Sequence, residues 1–401
     1  MSDLEAVHST VPSPIAISWQ EKLQDSLTRW TMTPSGYKWA LSNPLTRWVV
    51  RRRTQQVFDL MAGFVHSQVV LACVQLNIFA IVQTSPATLE ELAARTQIPS
   101  ASLQRLLQSA VALRLLERRS AARFALGPLG APIAAHPGIQ AMVEHNNLLY
   151  RDMLEPVDFL RDTGRGHMAQ YWPYAHTGTQ HVVTEQESYA ESYSQLMASS
   201  QNFVVEELLQ SYDFGHHHRV LDVGGGKGQF VAALALRESH LNFSLFDLPS
   251  VLPVAKQHHA ALGLAERVAY APGSFFDDTL PNGADLITLI RVAHDHPDNA
   301  VRIILRKIFD ALPVGGTFVL AEPMANADPA RAGTDAYFHF YLLAMGAGRL
   351  RTPEELTTML AEAGFSYIEA IPNAMPIHTR ILIARKSRGL PGTPPKSVKI
   401  S

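Results

Sequence analysis

Apolar residues dominate the stretch from Val57 to Val82, interrupted by Asp59, His66, Gln68, Gln75 and Asn77. That many polar groups argues against a membrane span of roughly 20 residues and predicts a buried helix. From Thr88 the spacing becomes helical with clear stops. Thr88 and Glu91 form a capping box ahead of Leu89, Leu92 and Ala93. A second helix follows Pro99 and Ser100, with Leu103, Leu106, Leu107, Ala110 and Val111 on one stripe. Leu115 to Arg119 and Arg123 to Leu126 then predict a short two-stranded wing around Ser120 to Ala122, which completes a winged-helix pattern.

After Gly215 and a helix predicted over 193–211, the rhythm changes to short apolar runs separated by helices. The runs Val220–Val223, Asn242–Phe246, Val268–Ala271, Asp285–Ile290 and Thr317–Ala321 suit strands of a buried parallel sheet. Thr352-Pro-Glu-Glu355 starts a last helix with a capping box and a first-turn proline, and the helix stops near Gly364. Ser366–Ile371 and Thr379–Ala384 read as a closing hairpin. The expected fold class is α/β, a doubly wound, mostly parallel sheet with that antiparallel hairpin, behind a helical winged-helix domain. The expected divisions are an arm over 1–50, a helical domain over 51–184, a sheet domain over 185–387 and a disordered tail over 388–401.

Composition narrows this only a little. The chain has 401 residues, 47% of them apolar, enough for a full core in two or three domains. A formal charge of -2 gives no global attraction for nucleic acid or anionic membrane. Winged helices often bind DNA, but here the second helix carries only Arg105 and Arg114, not the basic face that phosphate contacts require. The single cysteine, Cys73, can form neither an internal disulfide nor a thiolate metal cluster. With no secretion signal or membrane span read from the sequence, the expected setting is the cytoplasm. The arm is the exception in texture: Trp19, Trp30, Trp39 and Trp48 are interleaved with basic residues up to Arg51-Arg-Arg53. Such a segment can lie on a membrane, hold a lipophilic partner, or pack on its own protein or a dimer mate.

Candidate chemistry centres on Arg219 to Phe230, RVLDVGGGKGQF, a strand running into a bare glycine turn and then a helix. A dinucleotide fingerprint fails because Gln229 stands where the last glycine belongs. A phosphate loop fails because Gly228, not Ser or Thr, follows Lys227. A smaller, less anionic ligand remains, and S-adenosylmethionine fits. Its amino-acid end can approach the bare loop, and its ribose can be met by Asp247 at the end of the next strand. Asp247 before Leu-Pro is also good turn chemistry. Ser274 and Phe275, after the third strand, can bond and pack on an adenine, or Phe275 can serve the core.

The series LDVGGGKG, FDLP, GSFF, RVAHDHPD and LAEP, in that order, resembles the small-molecule O-methyltransferases that include plant caffeate-type enzymes and bacterial antibiotic and pigment enzymes. The resemblance covers about residues 55 to 385. It implies a class I methyltransferase fold, a homodimer and S-adenosylmethionine without a metal. It also implies cofactor contacts from Asp222, Gly224, Gly226, Asp247, Leu248, Ser274, Phe275 and Arg291.

His294 falls after the Asp285–Ile290 strand, at the carboxyl edge where open α/β sheets bind ligands. Near neutral pH an ordinary imidazole is mostly free to accept a proton. The resemblance makes His294 the general base. Of the two nearby acids, Asp295 is expected to point away, as adjacent residues do on extended backbone. Glu322, at the end of the next strand, is expected to orient the ring.

The chain also departs from the family. Leu350 replaces the second catalytic glutamate of plant members, His296 replaces a tryptophan, and Ile290 stands where an adenine-site lysine is found. These changes point to a greasier pocket, and the resemblance puts Met197, Tyr341 and Met345 near the acceptor. Within the family, the 142–161 segment, AQYWPYA and the long arm look most like bacterial carotenoid O-methyltransferases acting on 1-hydroxy acyclic carotenoids. The rivals are methylation of a phenol or polyketide and, outside catalysis, a cofactor-sensing winged-helix regulator. The His216-His-His218 run reads as a surface loop.

Overall fold

A computed structural model describes residues 18–163, 165–171, 202–325, 332–373 and 379–387. The tail over 388–401, Met197 and the first part of the 193–211 helix lie outside them. The helix itself is described over 202–211. The chain divides into two compact units, Met1–Ala72 and Cys73–Ser401.

In the first unit the helices Trp19–Thr31 and Pro34–Ser42 begin at capping residues Ser18 and Thr33, whose side chains accept backbone N–H groups. The helix Pro44–Gln75 follows and runs unbroken through residue 50, the expected end of the arm. By length and composition alone it is apolar enough to cross a membrane. The buried helix expected over 57–82 is not what forms. Asn77, at φ 54°, separates Pro44–Gln75 from a second helix, Ile78–Thr84. Val57, Phe58, Leu60, Met61, Phe64 and Val65 are exposed, whereas Ile78, Phe79 and Val82 are buried. An apolar pattern states that a face needs cover but not whether the same chain supplies it.

The second unit, which takes in Ile78–Thr84, continues with Leu89–Thr96, capped as expected by Thr88 and Glu91, and Ser100–Ala112. Strands β1 (Leu116–Arg118) and β2 (Phe124–Leu126) form the antiparallel wing. The remaining strands are β3 (Arg219–Val223), β4 (Asn242–Asp247), β5 (Val268–Pro272), β6 (Leu286–Ile290), β7 (Thr317–Glu322), β8 (Tyr367–Ile371) and β9 (Arg380–Arg385). They form one sheet in the order β5-β4-β3-β6-β7-β9-β8. The first five are parallel; β9 pairs antiparallel with β7 and with β8.

Successive residues serve opposite faces, as strand geometry requires. Leu221, Ile287, Leu289 and Phe318 join one buried cluster, while Val220, Leu286, Val319 and Ile383 join the other. Helices cover both faces, so the strands are apolar throughout. Chain order reverses between β3 and β6, which opens a ligand crevice at their carboxyl ends.

Candidate active site

The glycine turn fills that crevice from the β3 side. Gly224, Gly226 and Gly228 all have positive φ, at 67°, 56° and 73°, where a side chain would be strained. A Cβ on Gly226 would meet open space, which leaves the loop backbone accessible to a ligand. A Cβ on Gly224 would lie 2.9 Å from Val292, so this loop packs directly on the one that follows β6.

Asp247 stands at the end of β4 with both oxygens engaged. One accepts the Gly226 N–H at 2.7 Å and the other the Leu248 N–H at 2.7 Å. The turn and ribose readings of Asp247 are therefore compatible, since each carboxylate oxygen keeps a second lone pair. Burial raises its pKa, against the pull of those two N–H groups. Asp222 is buried below the loop, accepts the Thr288 hydroxyl at 2.6 Å, and is pushed by burial up to about 7.

Two histidines of the helix Leu252–Ala261 hold the far side of the loop, and no motif disclosed them. His258 Nδ1 lies 3.1 Å from the Lys227 carbonyl, and His259 Nε2 lies 2.9 Å from the Gly228 carbonyl. His259 is fully buried, and its Nδ1 is 2.8 Å from the Tyr270 hydroxyl. Burial lowers its pKa and favours the neutral ring. A neutral ring that donates from Nε2 to a carbonyl must accept from Tyr270 at Nδ1.

On the β6 side, Arg291 takes φ 55° and turns the chain into a short 3-10 turn, Ala293–Asp295. β6 and β7 pair Ile290 with Ala321, which sets Glu322 one residue further, under this turn. Glu322 is buried. Its Oε1 accepts N–H groups from Val292 at 2.8 Å and Ala293 at 2.7 Å, and its Oε2 lies 2.6 Å from His294 Nδ1. The expected His294–Glu322 pair is thus formed, with the carboxylate tied to backbone on its other oxygen.

Asp295 departs from its expected placement. Its Oδ1 lies 3.3 Å from His294 Nε2. The opposite-face rule holds for extended backbone, and here the backbone is helical. Burial acts to lower the His294 pKa, but the charges of Asp295 and Glu322 and the bond to Glu322 prevail and raise it.

The His294 turn is braced from behind by residues that no sequence signal marks for that role. Arg351 is buried and donates to the carbonyls of Ala293 at 2.8 Å and His296 at 2.6 Å. It shares Asp298 with Arg349. The Arg349 bonds, then those of Arg351, hold the Asp298 carboxyl down at about 2. Gly348 lets this segment approach, since a Cβ there would lie 2.0 Å from the His294 carbonyl oxygen.

The region expected to face the acceptor is apolar. Leu350, Tyr341 and Met345 are buried in one cluster with Leu149, Phe159 and Met168. His145 Nε2 lies 3.1 Å from the Tyr341 hydroxyl, and burial lowers its pKa to about 4. His296 is edge-on to Phe275 and Phe276, at 5.3 and 5.4 Å, and Ile290 is buried in the sheet core. Phe275 also packs against the core, and the Ser274 hydroxyl accepts the Phe276 N–H.

The histidine run is not a plain surface loop, because His217 is buried against Tyr212, 2.8 Å from its hydroxyl. Together with Asp285, Thr317 and Arg385 it lines a pocket of about 260 Å³ at the opposite ends of the strands. Among the described residues no group of His, Cys, Asp or Glu side chains is placed to hold a metal ion.

A bare glycine loop, an acid at the end of the next strand and a buried histidine-glutamate pair at the carboxyl edge of the sheet suit a methyl donor and a hydroxyl acceptor. Comparison with known proteins agrees: an O-methyltransferase domain matches residues 142–366 and an O-methyltransferase dimerisation domain matches residues 58–133. The chain belongs to this family and is an S-adenosylmethionine-dependent O-methyltransferase, whose dimerisation domain suggests a homodimer. It is 41% identical to demethylspheroidene O-methyltransferase of Cereibacter sphaeroides, over 83% of this chain and 87% of that one. It is also 41% identical to the Rhodobacter capsulatus protein of the same name, over 86% and 85%. Human N-acetylserotonin methyltransferase, solved in complex with SAM, shares the fold at TM-score 0.67 and 23% identity, over 84% of this chain and 98% of that one.

Proposed function

We propose that the chain methylates the tertiary hydroxyl of an acyclic hydroxycarotenoid, of demethylspheroidene or hydroxyneurosporene type, with His294 as general base. Similarity to the two demethylspheroidene enzymes supports the acceptor, and the apolar cluster around Leu350 suits it. The observation that carries the mechanism is the buried His294–Glu322 pair.

Bound S-adenosylmethionine would supply an activated methyl group, leaving this chain mainly to align and deprotonate. Gly224, Gly226 and Asp247 would hold the donor, with Asp222 and Leu248 supporting the loop and Ser274, Phe275 and Arg291 around it. Met197, Tyr341 and Met345 would face the acceptor. When the methyl group leaves sulfur for the alcohol oxygen, with the sulfonium becoming a neutral thioether, the hydroxyl proton would pass to His294 Nε2. Glu322 keeps the ring oriented through Nδ1, and Asp295 steadies the cation that forms. An aliphatic alcohol is far less acidic than a phenol, so it needs a stronger base, and the two acids supply one by raising the His294 pKa.

Incubation with labelled S-adenosylmethionine and parallel panels of hydroxycarotenoids and phenols tests the acceptor. Product from phenols alone would refute it. His294→Ala should lower turnover by roughly 10²–10⁴-fold and leave donor binding intact. Unchanged turnover would sink the proposed base.

A further inference from the structure

The arm that precedes the matched dimerisation domain has a surface that catalysis does not explain. At 3.6 residues per turn, Trp19, Leu23 and Trp30 project within about 40° of one another along the Trp19–Thr31 helix. Lys22 and Arg29 flank that stripe, and Glu21 and Asp25 lie behind it. The two tryptophans are 72% and 43% exposed. Trp30 meets the exposed Trp39 edge-on, with ring centroids 5.2 Å apart, which carries the aromatic surface into the next helix. The first turns of Pro44–Gln75 present Leu45 and Trp48, also exposed, with the Arg52 guanidinium 5.5 Å from the Trp48 ring.

We infer that residues 18–53 form an interfacial anchor that lays this tryptophan surface on an anionic bilayer. The charge decides the occupant. Lys22, Arg29, Lys38, Arg47 and the Arg51–Arg53 run outweigh Glu21 and Asp25, although the whole chain is slightly acidic at -2. Two copies of so basic a surface repel each other, whereas anionic headgroups attract each basic residue by about 1 kcal/mol. Apolar stripes with aromatic rings and basic flanks are the pattern of helices lying in a membrane interface. The anchor would bring the enzyme to the phase in which a lipophilic acceptor dissolves. Only that purpose rests on the acceptor reading; lipid binding stands without it.

Flotation of the full-length protein with phosphatidylcholine vesicles, with and without added phosphatidylglycerol, tests the inference. The protein should float with the anionic vesicles, shift its tryptophan emission to the blue, and be released by high salt. Replacing Arg51, Arg52 and Arg53 together by Gln should weaken partitioning on the order of 10²-fold, the effect of three such charges. Replacing Trp19, Trp30 and Trp48 by Ser should weaken it on both vesicle types. Donor binding should be unchanged in each variant, which confirms an intact fold. Absence from anionic vesicles would overturn the anchor. So would equal binding to neutral ones, resistance to high salt, or tryptophan variants that change only the oligomeric state. Vesicle binding without carotenoid turnover would leave the anchor standing and sink the acceptor. Turnover of detergent-dispersed carotenoid without vesicle binding would do the reverse.

Discussion

Glu322 does two things at once, and they can be separated. Its Oε1 gathers the N–H groups of Val292 and Ala293 while its Oε2 holds His294. Glu322→Gln keeps the shape but removes the charge that helps raise the His294 pKa. With that charge gone the pKa falls, so the acid limb of kcat/KM should move to lower pH. The plateau should drop on the order of 10²-fold as the imidazolium loses its partner. Stability carries the matching sign. A raised histidine pKa stabilises the fold fully below its ordinary value of about 6.5 and ceases to as pH rises through the folded value. The stability gap between wild type and Glu322→Gln should therefore be larger in acid than in alkali, as urea unfolding at both extremes would measure. The place of the histidine at the carboxyl edge of the sheet and its pairing with Glu322 were legible from strand ends, and its role as base from the family resemblance. Asp295 was not, because its approach to Nε2 depends on a local 3-10 turn that no periodicity announces.

The elements around the site differ in how far the chain itself declares them. Five parallel strands, the wing and the capped helix Pro353–Ala363 follow from local apolar runs and caps, and each forms within a residue or two of expectation. The brace behind His294 does not, because Arg351 and Asp298 lie far apart in the sequence, with β7 between them, and share no motif. Its glycine gives a sharp test. Gly348→Ala places a methyl 2.0 Å from the His294 carbonyl, backbone against backbone, so the turn must shift. Turnover should fall at least tenfold, since small displacements of a base are costly, with donor affinity little changed. The donor loop should answer the other way. His259→Leu removes the bond to the Gly228 carbonyl, which keeps only the Ala232 N–H, a loss of about 0.5–1.5 kcal/mol. Titration calorimetry should show roughly tenfold weaker donor binding, with kcat at saturation nearly kept and His259→Gln partly restoring affinity.

At the scale of the whole molecule, the exposed face of Pro44–Gln75 is where the chain's own core ends. Val57, Phe58, Leu60, Met61, Phe64 and Val65 repeat at helical spacing and lie open, unlike the apolar residues from Leu71 to Val74, most of them buried. The pattern alone could not say that the cover would come from elsewhere. The dimerisation-domain match begins at residue 58, within this face, and carries far less charge there than the arm before it. An apolar face of that kind suits a second copy, as the basic arm does not. A stable pair needs roughly 1,200–2,000 Å² of combined surface, so this face must be joined by others. Leu60→Asp with Phe64→Asp buries two charges in the seam and should shift light-scattering mass toward the monomer. Melting temperature should rise with protein concentration in the wild type and lose that dependence in the double variant, because association stabilises by mass action. Anionic vesicle binding through Trp19, Trp30 and Trp48 should survive in that monomer, which would assign the two exposed surfaces of one helical unit to two different partners.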